Sequence, residues 1–366
     1  MRSMNDKKQL DIELMRIFAA FFVIFNHTDT GGFLLFTQYD ANCIQFWIYL
    51  MIAVFTKFAI YLFLMITGAL MLNREPEPLK ELWLNRVLKM ALVLLAWLFV
   101  YYCVDVMKGR ETFDIWQFLK ECYGSGLSKW NHALWYLYAY IPLLITLPLL
   151  QRIAKSISDK DYLYMICLYL VFSSLLPAME QLLWENKYHL TGYFDLSWLC
   201  ALVLFYPLLG YFLQHRVKKY WNGKRLMLLW GGNIAAIILT CYLAYLKIVT
   251  SDNIAADNVV QVFSIFVAVN AATIFVTFQY LADRAKIHGV VQKVICSLGG
   301  CSFGVYVLHN MFIIKTTIFG KLLHGFRDWL HMNDMVSGLL STGCVFMMCY
   351  VVTLLLKRIP LIKKLF

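Results

Sequence analysis

Apolar residues run along this chain in blocks of roughly twenty, the length that spans a bilayer as a helix, and short polar segments separate them. The blocks predict helices at about 11–35, 50–72, 84–104, 133–151, 162–183, 196–214, 226–246, 258–282, 294–318 and 334–356. None alternates with period two, so an outer-membrane barrel is excluded. Two blocks are irregular. Polar residues interrupt the first at both ends, and 43–72 has room for an extra interfacial helix before its span. The longest polar segment, about 105–132, suits an amphipathic surface helix anchored by Trp116 and Phe118. Internal repeats, inverted duplications, low-complexity linkers and soluble segments are all missing from the sequence. Residues 1–366 therefore read as a single all-α integral membrane domain, with about ten transmembrane helices around a central cavity.

Composition agrees: of 366 residues, 61% are hydrophobic and 15% charged, and the mean hydropathy is +0.64. The formal charge of +11 does not point to nucleic acid, because its Lys and Arg fall in short segments between apolar blocks. Counted by side, they report topology. The N-terminus and segments 73–89, 152–160, 216–225, 284–293 and 357–364 carry 22, against nine in the alternate segments, with Arg16 and Lys57 within or beside spans. That bias predicts both termini in the cytoplasm. Asp11, Glu13 and Arg16 break the first apolar block and no small-residue cleavage site follows it, which predicts a retained helix rather than a signal peptide. The ten cysteines lie mostly in apolar stretches without CxxC spacing, so neither a disulfide framework nor a metal site is expected.

The chemistry concentrates in the first block, which holds Arg16 and His27. Eleven residues apart on a helix, they share a face within about 20° and stand about 16 Å apart along the axis. Ionisable groups at membrane depth are costly unless they face a protein interior or a wet cavity. Their bland readings are a bond between helices for His27 and an ion pair with Glu13, or snorkelling, for Arg16. The sharper reading pairs a neutral imidazole, able to take a hydroxyl proton near pH 7, with a guanidinium suited to phosphate.

Here the chain resembles the membrane acyltransferase 3 family, whose first helix carries R-x10-H, matched by Arg16 and His27. Glu13 stands where that family often has an aspartate. Phe63-Leu64-Met65-Ile66-Thr67-Gly68-Ala69-Leu70 is similar to its F-x-x-x-S-G-x-L stretch, and Arg86 with Lys89 to its R-x-x-R pair. Leu134-Trp135-Tyr136-Leu137 resembles its L-W-[FY]-L stretch, with His132 one residue further from the tryptophan than the family's usual histidine. Phe205–Tyr211 resembles its F-x-x-L-G-Y segment, and Ser302-Phe303-Gly304-Val305-Tyr306-Val307-Leu308-His309 its late S-[YF]-G-[IV]-Y-hh-H signature.

The resemblance implies transfer of an acyl group, usually acetyl from acetyl-CoA, to a hydroxyl of an extracytoplasmic glycan or glycolipid at the bacterial cytoplasmic membrane. On that expectation Arg16, with Arg86 and Lys89, holds the phosphates of acyl-CoA, a donor substrate rather than a bound cofactor. His27 removes the acceptor's proton or briefly carries the acyl group. Asn26 and Ser302 are candidate oxyanion donors. Glu13, Trp135, Tyr306 and His309 are further candidates for the cavity lining. Gly68, Gly210 and Gly304 read first as close-packing sites. The rival expectation is a non-enzymatic transporter or flippase of lipid-linked glycan, with a basic cavity for pyrophosphate. The partners expected are acyl-CoA, a carbohydrate or lipid-linked glycan, and membrane lipids, with no nucleic acid and no metal.

Overall fold

The structure is a computed structural model that describes residues 3–122, 129–184, 190–193, 195–250, 256–285, 287–360 and 362–365. Arg2, Lys187 and Lys286 of the charge count, and 123–128 of the long polar segment, lie outside the described residues. Every regular element among those described is helical. In chain order the main ones are α1 (Ser3–Phe25), α2 (Ile44–Thr56), α3 (Ala59–Met71), α4 (Leu88–Met107), α5 (Ile115–Cys122) and α6 (Trp135–Ser156). There follow α7 (Asp159–Tyr169), α8 (Leu202–Tyr211), α9 (Gly223–Thr250), α10 (Val267–Arg284), α11 (Gly289–Gly300), α12 (Ser302–Asn310) and α13 (Asp334–Leu356).

By length and composition, six helices among the described residues can cross a membrane, or seven if the bent pair α11–α12 forms one span. The expected count of about ten is not reached on this measure, for reasons visible in the sequence. Asp11, Glu13 and Arg16 dilute α1, and α8 is only ten residues long. The spans differ in place more than in hydropathy. Ile44–Met71 is 61% buried and Gly223–Val249 only 28%, at hydropathies of 2.1 and 1.8, so the former is central and the latter presents its apolar surface outward to lipid.

α1 lies at the centre, packed against α3, α10, α11, α12 and α13, with Met15, Ala19 and Ile24 fully buried. It ends at Phe25, ten residues before the predicted boundary. The run Asn26-His27-Thr28-Asp29-Thr30-Gly31-Gly32 favours turns over helix, and the Thr28 hydroxyl donates to the Phe25 carbonyl at 2.7 Å. The block 43–72 is two helices, α2 and α3, broken at Lys57 and Phe58. The predicted 294–318 helix bends by 49° between α11 and α12. The expected surface helix in 105–132 is α5, whose Phe118 is buried and stacks on Trp130 at 5.0 Å, while Trp116 is exposed.

The closest helix contact joins α3 to α8. A Cβ on Gly68 would lie 1.9 Å from the Pro207 carbonyl oxygen, and one on Gly210 2.0 Å from that of Met65. The two glycines thus let the backbones touch at two reciprocal points. Gly304 packs on Thr353, whose side chain lies 2.3 Å from the position of a Cβ. The packing reading of all three glycines holds.

The segments grouped by charge also gather in space. Lys155 pairs with Glu75 at 2.7 Å, Arg216 with Asp159 at 3.6 Å, and Lys218 with Asp11 at 2.9 Å and Asp283 at 3.2 Å. These pairs lie at one end of the bundle. At the other, Lys315 pairs with Asp105, and Tyr49 joins Asn333 at 3.0 Å.

Candidate functional site

Of the cavities among the described residues, two take one half each of the R-x10-H motif. The first, about 400 Å³, is lined by Arg16, Arg74, Arg86, Tyr136, Tyr140 and Ser302 among others. The second, about 690 Å³, is lined by Asn26, His27, Lys57, His132 and Trp135 with apolar neighbours. Tyr306 lines both. The shared face expected from an unbroken helix is therefore corrected. Because α1 stops at Phe25, His27 sits in a turn, its N–H bonded to the Ile24 carbonyl at 2.9 Å, and the motif straddles a partition.

The arginine cavity is built at the breaks of its neighbours. Arg16 comes from mid-α1, its Nη1 donating to Glu13 Oε1 at 2.6 Å. Glu13 Oε2 is buried with no partner among the described residues. It lies against Gly299, where a Cβ would be 2.1 Å away, so no larger residue fits beneath the pair. Arg86 grips Glu77 with Nε at 2.7 Å and with Nη2. The Arg86 hydrogen bonds hold the Glu77 carboxyl below its ordinary range. Arg74, which sequence reasoning counted only as a topology signal, reaches the same cavity from beyond α3. The bend before Ser302 also turns the start of α12 toward this space, and backbone N–H groups at a helix start favour anions. Lys89 is exposed and does not line the cavity, because it points from the outer side of α4.

The histidine cavity gathers three imidazoles from separate elements. The His27 ring stacks on His132 at 5.3 Å and meets His309 at 5.0 Å. His309 Nδ1 lies 2.5 Å from the Tyr306 carbonyl oxygen. A carbonyl only accepts, so this nitrogen carries the proton and Nε2 keeps a lone pair. Nε2 of both His27 and His309 is buried without a partner among the described residues. Asn131 ties the assembly together. Its Oδ1 accepts from Ala133 N at 3.1 Å, beside His132, and from Asn310 Nδ2 at 2.6 Å, beside His309.

This geometry bears on four expected roles. His309 does not line the cavity; it is fully buried behind His27, because α12 turns that face inward. Ser302 belongs to the arginine cavity and not to the imidazoles. Asn26 donates its amide to the Thr56 carbonyl at 3.1 Å, and its buried Oδ1 is unpaired. One of its two amide hydrogens is thus committed to the backbone, and its oxygen gives the site an acceptor as well. Glu13 is the partner of Arg16 and not itself part of the lining. The partition runs through one motif: Trp135 lines the histidine cavity and Tyr136 the arginine cavity. Tyr306 closes it, its hydroxyl donating to the Ala133 carbonyl at 2.5 Å. His132 and Lys57 join the site without having been candidates.

Among known proteins, a family model described as "Acyltransferase domain" matches residues 9–358. No curated protein and no solved structure matches the chain.

Proposed function

The chain belongs to the acyltransferase 3 family of membrane acyltransferases, and on that premise we propose that it moves an acetyl group from cytoplasmic acetyl-CoA to a hydroxyl of an extracytoplasmic glycan or glycolipid. The observation that carries this reading is the division of Arg16 and His27 between two cavities that meet at Tyr306. The nucleotide of the donor docks in the arginine cavity, its phosphates on Arg16 with Arg74 and Arg86. Guanidinium suits this task because its planar donors match phosphate oxygens in pairs. The pantetheine arm carries the thioester past Tyr306 to His27.

The acceptor enters the histidine cavity. His27 takes the hydroxyl proton as the oxygen attacks the thioester carbonyl. The C–S bond then breaks, the ester forms, and the proton passes to the departing CoA thiolate. A neutral imidazole suits this role, and the carboxylate that lines the cavity with His27, Asp29, is exposed rather than part of the buried imidazole cluster. The lone pair on His309 Nε2 is positioned as a support for His27 rather than as a second base toward substrate. The basic segments around the arginine cavity support a cytoplasmic assignment for that end, as the positive-inside bias expects.

The test is turnover by purified protein in vesicles supplied with labelled acetyl-CoA on the arginine-cavity side and glycan on the other. Label should appear in the glycan and free CoA should accumulate, both lost in His27→Ala. Movement of lipid-linked glycan without consumption of acetyl-CoA would establish the transporter reading instead.

A further inference from the structure

Lys57 lies midway along the span Ile44–Met71, thirteen residues past its first residue and fourteen before its last. Its side chain is too short to reach either membrane face from there, so snorkelling does not explain it. It sits in the break between α2 and α3 and lines the histidine cavity. No carboxylate among the described residues pairs with its Nζ, and the Phe33 ring lies 6.0 Å from the nitrogen to the centroid. That is the outer limit of a cation–π contact. Asp29 lines the same cavity, but it is exposed and forms no ion pair with Lys57.

The break that presents Lys57 is held from two sides. Asn270 Nδ2 donates to the Phe55 carbonyl at 2.6 Å, and Asn26 Nδ2 to the Thr56 carbonyl at 3.1 Å. Asn233 steadies Asn270 at 3.2 Å. Because Asn26 adjoins His27 in the chain, one clamp sets the ammonium and the imidazole over one space. An interior cation without a counter-charge is costly, and the fold keeps it on the wall where the acceptor docks.

We propose that Lys57 is the recognition site for an anionic group on the acceptor, so that this enzyme acylates an acidic glycan. The inference rests on the acyl-transfer reading above. A carboxylate or phosphate oxygen of the acceptor pairs with Nζ and orients a neighbouring hydroxyl toward His27. The pairing has a second effect. An unpaired ammonium beside the base opposes formation of the imidazolium, and a docked anion removes that opposition.

The experiment compares three acceptors with the full-length protein and acetyl-CoA: a uronic-acid oligosaccharide, the same oligosaccharide with its carboxyls reduced, and a neutral sugar on a prenyl diphosphate. Loss of a charge-assisted hydrogen bond corresponds to about 10- to 150-fold in kcat/KM. Lys57→Gln should cost that much with an anionic acceptor and should not slow the carboxyl-reduced one, which has no anion to pair with the ammonium, while Lys57→Arg keeps the preference. Thermal unfolding shows that each variant is folded. Loss confined to the uronic acid assigns the partner as a sugar carboxylate, and loss confined to the prenyl diphosphate assigns it as the lipid phosphate. Turnover indifferent to acceptor charge and to Lys57→Gln overturns the inference and leaves acyl transfer standing. Absence of His27-dependent turnover with all three overturns acyl transfer and this inference with it.

Discussion

The proposed phosphate contact of Arg16 can be separated experimentally from its observed pairing with Glu13. Its guanidinium has five N–H donors, of which Nη1 is engaged by Glu13 at 2.6 Å while the side chain remains 30% exposed on the cavity. Arg16→Lys keeps the charge, yet one ammonium cannot serve Glu13 and also present a planar pair of donors to phosphate. Acetyl-CoA affinity should fall by about 10- to 150-fold, the worth of one charge-assisted hydrogen bond. Arg16→Ala adds a cost in stability. It strands Glu13, 14% exposed and with Oε2 already unpartnered. Breaking a buried pair costs about 3–5 kcal/mol, and the partial exposure here argues for the lower end. Adding Glu13→Gln to Arg16→Ala removes the stranded charge, so most of the stability should return while donor affinity stays low. Calorimetric titration of acetyl-CoA against detergent-purified variants, with thermal unfolding in parallel, reads both quantities. Wild-type affinity in a folded Arg16→Ala, Glu13→Gln protein would refute the phosphate role and leave Arg16 as a structural partner of Glu13.

His27→Ala should lower acyl transfer by about 10²- to 10⁴-fold, the range for a general base, with thermal unfolding unchanged; near-wild-type turnover removes the assignment. Cys43 is exposed at the end of the bundle that holds His27, so an impermeant maleimide applied outside intact cells should label it, and Cys122 more slowly, while Ser3→Cys stays protected. The reverse pattern inverts the direction of acyl flow. Gly68→Ala puts a methyl 1.9 Å from a backbone oxygen, an obstacle that no rotamer relieves, so destabilisation should reach the upper end of the roughly 1–3 kcal/mol of overpacking; a fully stable, inactive variant would argue for a direct catalytic role. Glu77 has its carboxyl lowered by Arg86, so its contribution is present above the ordinary carboxyl pKa and is lost as pH falls through the lowered value. The acid limb of the thermal stability profile should therefore flatten in Glu77→Gln, and an unchanged limb would show that another group governs it.

What the sequence made legible was what local rules govern. Arg16 and His27 stood out because ionisable side chains are costly in a span, and both line cavities. By the same rule Lys57, set aside with Arg16 as lying within or beside a span, was legible as well, but no local pattern gave it a chemistry. The glycines were readable as packing sites, since small residues in apolar helices permit close approach, although the reciprocal contact of α3 with α8 required the fold. Boundaries were less accessible. The end of α1 at Phe25 depends on Thr28 turning back to a carbonyl, and the break at Lys57 is stabilised by Asn26 and Asn270, the latter more than two hundred residues away. Such nonlocal partners also give Asn26 a structural duty that the sequence did not show, one amide hydrogen being held by the Thr56 carbonyl. Arg74 and His132 became site residues only through the approach of separate elements.

The arrangement makes α12 the ruler of the site. Ser302 opens it at the arginine cavity, Tyr306 forms the partition one turn on, and His309, its ring 5.0 Å from that of His27, follows less than a turn later, about 10 Å along the axis from Ser302 at 1.5 Å per residue. A transporter would have to pass a whole glycan through this partition, breaking the Tyr306 bond to Ala133 and displacing the Trp135 and Tyr136 side chains. Acyl transfer demands less, since only a slender pantetheine arm and its acetyl group must pass Tyr306. In the proposed reaction the nucleotide and the acceptor would stay on their own sides. A wall lined by one shared tyrosine separates two substrates while letting one small group cross, and that difference in what must move is the physical reason the geometry favours an enzyme over a carrier.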